Sequence, residues 1–162
     1  MQTLRYLAAV SFFAVALHAQ QTSVPAAGDD SEAKPPVSKA DLDVIKQARS
    51  ILSSPAKWNR ADTRKCPADE KTFSLYCALE KATQEVTGSF AHRGAAMQEA
   101  RFVIDDIAPN RNYHHRLMDY NNDPATTFAD IRRVFDPLEN RIAKRLKEQS
   151  GGSAAEDHSL SH

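Results

Sequence analysis

The chain is predicted to be all-α, a small irregular bundle of four or five helices. Three observations carry that expectation. Apolar residues between positions 38 and 149 recur at three- and four-residue steps, the period of one helical face. The stretches that show this period close on Pro or Gly. No segment alternates apolar and polar residues long enough to make a half-buried strand.

The first helix is "SKADLDVIKQARSILSS". Ser38 followed by Asp41 is a capping box with Asp in place of Glu. Val44, Ile45, Ala48, Ile51 and Leu52 form its buried face, and Pro55 ends it. Trp58 follows in the polar loop "PAKWNRADTRK", where it either folds back to seal the core or faces a ligand. The second helix is read over "DEKTFSLYCALEKATQEV", with acidic residues at its start, where the helix dipole favours them. Phe73, Tyr76, Cys77, Leu79, Ala82 and Val86 make its stripe, and Gly88 is its stop.

The third helix is "GAAMQEARFVIDDIA", closed by Pro109. A short helical turn covers Tyr113 to Met118. The last helix carries Phe128, Ile131, Val134, Phe135, Leu138, Ile142 and Leu146 on one face. Pro137 interrupts it. A kink is favoured because the stripe keeps its phase; the alternative is a new start with Asp136 as cap and Pro137 at the first helical position. Its many Arg and Lys residues read as a solvated face opposite that stripe.

Flanking segments differ in character. Residues 1–19 have Arg5 near the start, an apolar run from Leu7 to Leu17 and small residues after it, the pattern of a cleaved secretory leader. The run is shorter than the roughly 20 residues a membrane-spanning helix needs. No Cys follows it to carry a lipid. Residues 20–37 are polar and Pro-rich, a flexible linker; 38–149 form the helical domain; 150–162 read as a disordered tail. The expected location is therefore outside the cytoplasm, periplasmic or secreted. Formal net charge is +0, which removes any gross bias toward nucleic acid or an anionic membrane.

An exported chain favours disulfides, and there are two cysteines, Cys66 and Cys77. One straight helix from Pro67 through Cys77 would hold them about 16 Å apart. A bond needs the Cα atoms within about 7 Å. The pair is bonded only if "CPADE" folds back over the helix start; otherwise Cys77 is a core thiol and Cys66 a loop residue.

The densest polar stretch is "LMDYNNDPATTFADI". Asp119, Asn121, Asp123, Thr127 and Asp130 fall at the liganding intervals of a calcium loop, but Pro124 stands where that loop needs Gly. Thr127 and Asp130 alternatively form a capping box that starts the last helix, preceded by a Pro124 turn. That leaves Tyr120, Asn121 and Asn122 as more than a cap requires, so with Trp58 they are the candidate ligand or partner site. His115 and Asp119 would share a helical face, and His114, Asp105 and Asp106 are near in sequence, but no metal-ligand spacing supports a site there. His92 has no partner that the sequence names. Gly-rich phosphate loops, serine-nucleophile motifs and paired CxxC sites are absent, so no cofactor is expected.

"WNRADTRKCPADEKTFSLYCALEKATQEVTG", followed by "YNNDPATTFADIRRVF", resembles an uncharacterised bacterial domain-of-unknown-function family, family 6197. Trp58, Cys77, Ala78, Leu79, Tyr120, Asn121 and Thr127 carry the resemblance, over about Ile45 to Ile142. Glu80 stands where that family usually has Gly, Asn122 where it usually has Asp, and a leader is not a regular family feature. The resemblance implies a small helical domain and no particular activity. The expected function is an exported binding or interaction module, whose partner is an unknown protein or small ligand, with no nucleic acid and no stable membrane anchor after leader removal. The alternative is a metal-dependent or hydrolase-like enzyme with a site in 114–130, using His114, His115, Asp119 or Asp123.

Overall fold

The computed structural model describes residues 34–157, with side chains through residue 151. The leader, most of the linker and the last residues of the tail, 158–162, lie outside the described residues. Six helical segments follow in order: α1 (Lys39–Ile51), α2 (Leu75–Thr87), α3 (Ala95–Ile107), α4 (Arg116–Asn122), α5 (Phe128–Arg133) and α6 (Phe135–Asp157). A 3₁₀ turn, Pro55–Lys57, sits between α1 and α2. Among the described residues there is no named strand, only a single bridge between Trp58 and Phe73. The class is all-α, as the periodicity predicts. Among the described residues no helix is long and apolar enough to cross a membrane.

The core forms where α1 packs on α2 and α6, and α3 packs on α6 and α4. Ile45, Leu52, Leu75, Leu79, Ile104, Ile131, Phe135, Leu138 and Ile142 are fully buried in it. Each such side chain contributes roughly 1.5–3 kcal/mol by leaving water. The Ser38–Asp41 capping box is present at the start of α1. Val37 and Leu42 occupy the positions of a hydrophobic staple around it, and both join the core cluster. Arg145 donates to the carbonyls of Lys34 and Pro35 at 3.3 and 2.7 Å. The last residues assigned to the linker therefore pack on the domain. At the other end α6 continues past Gln149 to Asp157.

Helix α2 starts later than its sequence pattern suggests. Ser74 is its cap, accepting from Cys77 N–H at 3.1 Å, and the stretch from Asp69 to Phe73 stays outside the helix. That leaves Cys66 free to fold back, and the Cys66–Cys77 disulfide is formed with Cα atoms 5.3 Å apart.

The final stripe breaks at Val134 rather than at Pro137. A proline ring clashes with the carbonyl four residues before it, which here is Arg133, the last residue of α5. Pro137 itself lies in the first turn of α6, where a missing N–H costs nothing. Val134 keeps right-handed helical angles, φ −63° and ψ −34°, so the apolar stripe crosses the break in phase.

Candidate functional site

Proline shapes the surface next to the predicted turn. Pro109 follows the end of α3, and Arg111 N–H closes a turn on Ala108 O at 3.0 Å. Pro124 sits in a second turn, in which Asp123 O accepts from Thr126 N–H at 2.9 Å and Asp123 Oδ1 from Ala125 N–H at 2.8 Å. The two turns face each other across a cleft of about 310 Å³. Ile107, Pro109, Tyr113 and Tyr120 supply its apolar and aromatic lining; Arg111, Asp123, Thr126 and Asp130 supply the polar groups. The Tyr113 and Tyr120 rings meet edge to face with centroids 6.2 Å apart.

Tyr113 donates its hydroxyl proton to Asp123 Oδ2 at 2.7 Å, and Arg111 lies 3.5 Å from the same oxygen. Burial and the Asp123 carboxylate push the Tyr113 hydroxyl up to about 12. The same hydrogen bond, with the one from Ala125 N–H, holds Asp123 below the usual carboxylate range. Burial also raises Tyr120. Its hydroxyl points at Asp130 O, 3.4 Å away.

Trp58, Asn121 and Asn122, named with Tyr120 from sequence, do not line the cleft. They tie the loop after α1 to α4. Asn121 is 0% exposed, and its Oδ1 accepts from Trp58 Nε1 at 2.9 Å and from Leu75 N–H at 3.0 Å. Its Nδ2 donates to Asn59 O at 3.0 Å and Asn122 Oδ1 at 3.2 Å. Asn122 pairs with the backbone of Asp62 in both directions, accepting from its N–H at 2.8 Å and donating to its carbonyl at 2.9 Å. Trp58 packs on Phe128, and Arg60 covers its ring at 5.1 Å while donating to Asp123 O and Pro124 O. The tryptophan thus seals the core, and the amide pair is what holds it.

The calcium-spaced oxygens point to separate tasks. Asp119 accepts from His115 N–H at 2.7 Å, Asn121 is in the loop tie, Asp123 holds the turn, and Thr127 and Asp130 form the capping box of α5, with Asp130 also paired to Arg133. Among the described residues no group of three or more His, Cys, Asp or Glu is placed to hold a metal ion. His114 and His115 meet edge to face outside the cleft, and Asp105 and Asp106 pair with Arg116 and Arg141. Of the four residues named for an enzyme, Asp123 alone lines the cleft.

Three polar clusters were not legible from sequence. His92 lies 3.0 Å from Tyr76 Oη through Nδ1 and 3.0 Å from Arg101 through Nε2. A guanidinium only donates, so Nε2 accepts and the ring proton sits on Nδ1, directed at Tyr76. Glu80 takes the next place: burial raises its carboxyl, opposed by the Tyr76 hydroxyl and the nearby His92. Glu99 is buried between Arg141 and Arg145, at 2.9 and 2.6 Å. Part of the basic face of α6 is therefore turned inward, toward an acid whose neighbours in sequence gave no hint of it.

Asp62 is the third. It is 5% exposed and accepts from Arg64 N–H at 2.6 Å, which holds Arg64 at φ 58°. Burial raises its carboxyl above 3.8, against the pull of Arg64 and the Ser74 hydroxyl. Glu70 is raised too, by burial and by the charges of Asp62 and Asp69. A raised acid costs stability once it ionises, and the cost disappears as pH falls through its folded value. Asp62→Asn keeps an oxygen for Arg64 and removes the charge. It is expected to stabilise the chain at pH 7 and to leave its stability unchanged at pH 3. Urea melts at both pH values check this; a difference independent of pH contradicts it.

Comparison with known proteins adds a family and no activity. No curated protein and no solved structure matches the chain. Residues 36–141, spanning α1 to the first turns of α6 and including the loop tie, the disulfide and the cleft, match the model of a family of unknown function, and the chain belongs to that family, DUF6197.

Proposed function

We propose that the chain is an exported helical binding domain whose cleft between the Pro109 and Pro124 turns takes a small ligand. The observation that carries this reading is the cleft itself, walled by the turn that the sequence marks as over-provided with polar groups. A formed disulfide is in keeping with an oxidising compartment. The acid–base groups favour binding over turnover. A general acid or base works best with its pKa near the ambient pH. Here Tyr113 and Asp123 are pushed apart, the phenol up to about 12 and the carboxyl below its ordinary range.

Fragment binding followed by amide NMR on the full chain tests the reading. Small ring compounds at millimolar concentration are expected to shift resonances of residues 107–113 and 120–126 together. Ile107→Glu, at a position 41% exposed on the cleft wall, is expected to abolish those shifts without lowering the melting temperature. Shifts elsewhere on the surface, or none, overturn the proposal.

A further inference from the structure

We infer that the occupant of this cleft is a small organic carboxylate with a flat apolar body, held at its charged end by Arg111. This rests on the binding reading above and goes further by naming the ligand class.

The polar groups of the cleft differ in how far the protein already engages them. Asp123 Oδ1 holds Ala125 N–H, and Oδ2 holds the Tyr113 hydroxyl at 2.7 Å. Asp130 holds Thr127 and Arg133. The acidic side chains thus have their hydrogen bonds from the protein. The donors do not. Arg111 offers five N–H groups, and its contact in the protein is one nitrogen at 3.5 Å from an oxygen that Tyr113 already occupies. Its side chain is 54% exposed and free to turn over the cleft. Thr126 is 5% exposed and lines the same cleft.

Two further features narrow the ligand. The charge that fits is a single negative one. A planar carboxylate matches the guanidinium fork in two parallel bonds. A dianionic phosphate would set its second charge against Asp123 and Asp130. The body that fits is flat and apolar, because Ile107, Pro109 and the two tyrosine rings form the rest of the lining. At about 310 Å³ the cleft is at the small end of ligand sites, which suits a single ring.

Benzoate, benzyl alcohol, benzamidine and inorganic phosphate are titrated into the full chain under the same NMR observation. Benzoate is expected to bind in the cleft about tenfold tighter than the alcohol or the amidine, and to weaken with salt. Arg111→Gln, with an unchanged melting temperature, is expected to bring benzoate down to the level of the alcohol. Equal binding of benzoate and benzyl alcohol, tighter binding of benzamidine or phosphate, or full benzoate affinity in Arg111→Gln overturns the carboxylate assignment while leaving a binding cleft. Failure of all the ring compounds to bind in the cleft overturns both.

Discussion

Asn121→Ala is expected to destabilise the chain by about 3–5 kcal/mol, lowering its melting temperature by roughly 10–20 °C. The side chain is fully buried and uses both ends of its amide. Removing it leaves Leu75 N–H at the start of α2, Trp58 Nε1 and Asn59 O without their partner. Each orphaned buried group costs about 1–3 kcal/mol, and the emptied volume adds to that. Trp58→Phe loses one of those bonds from a half-buried ring and is expected to cost about 1 kcal/mol. Asn121→Asp keeps the acceptor and loses both donors while burying a charge, so it should resemble alanine rather than asparagine. Trp58 is the single tryptophan, so its emission reports directly on the loop. In Asn121→Ala that emission is expected to shift toward the solvent-exposed value below the main transition seen by far-ultraviolet circular dichroism. Coincident transitions with a loss under about 1 kcal/mol would mean that the amide is decorative.

The same residue shows what a sequence conveys and what it withholds. Helices announce themselves locally, through a period of three and four and through caps three residues apart, so α1, α3 and both capping boxes were legible. Asn121 was legible only as a surplus: more polarity than a helix start needs. Its partners, Trp58 and Leu75, lie 63 and 46 residues away, and side chain to backbone bonds across that distance leave no periodic trace. Hence the surplus polarity of the turn is visible in the sequence while the contacts that use it are not. Tyr120 lines the cleft, whereas Trp58 and the two asparagines tie the loop after α1 to α4.

Other differences have equally local reasons. The sequence pattern starts α2 too early because Asp69 and Glu70 resemble a favourable first turn. The bonded Cys66 and the Ser74 cap instead keep that stretch in the loop. The sequence favours a kink at Pro137, but a proline disturbs the helix through the carbonyl four residues upstream, so the interruption falls at Val134. Glu99 and His92 sit in helical or loop contexts where polar residues usually meet water. Their burial depends on which helix packs opposite, and one helix's sequence cannot say that.

Replacing both cysteines with serine is expected to cost about 3 kcal/mol, the chain-entropy value for so short a loop. The bond closes a separation of 11 residues and joins Cys66 to the buried face of α2. Between them lies the segment that carries Glu70 and Phe73. Phe73 in turn bonds the preceding loop, donating to Lys57 O at 2.7 Å and accepting from Asn59 N–H at 3.0 Å. The disulfide and Asn121 therefore hold one loop from two sides, and two physical origins for its effect can be told apart. If the bond acts by restricting the unfolded chain, its loss adds to that of Asn121→Ala, because the amide is made only in the folded state. If it acts by holding the loop in place for Asn121, the two losses overlap, and the combined variant is more stable than their sum predicts. The anchorage of the loop by Phe73 and Asn122 independently of the sulfurs favours the first. Chemical melts of the two single changes and the combination are expected to add within about 0.5 kcal/mol. A larger departure from additivity places the effect of the bond in the native loop, and a cysteine-free chain as stable as the parent removes its structural role altogether.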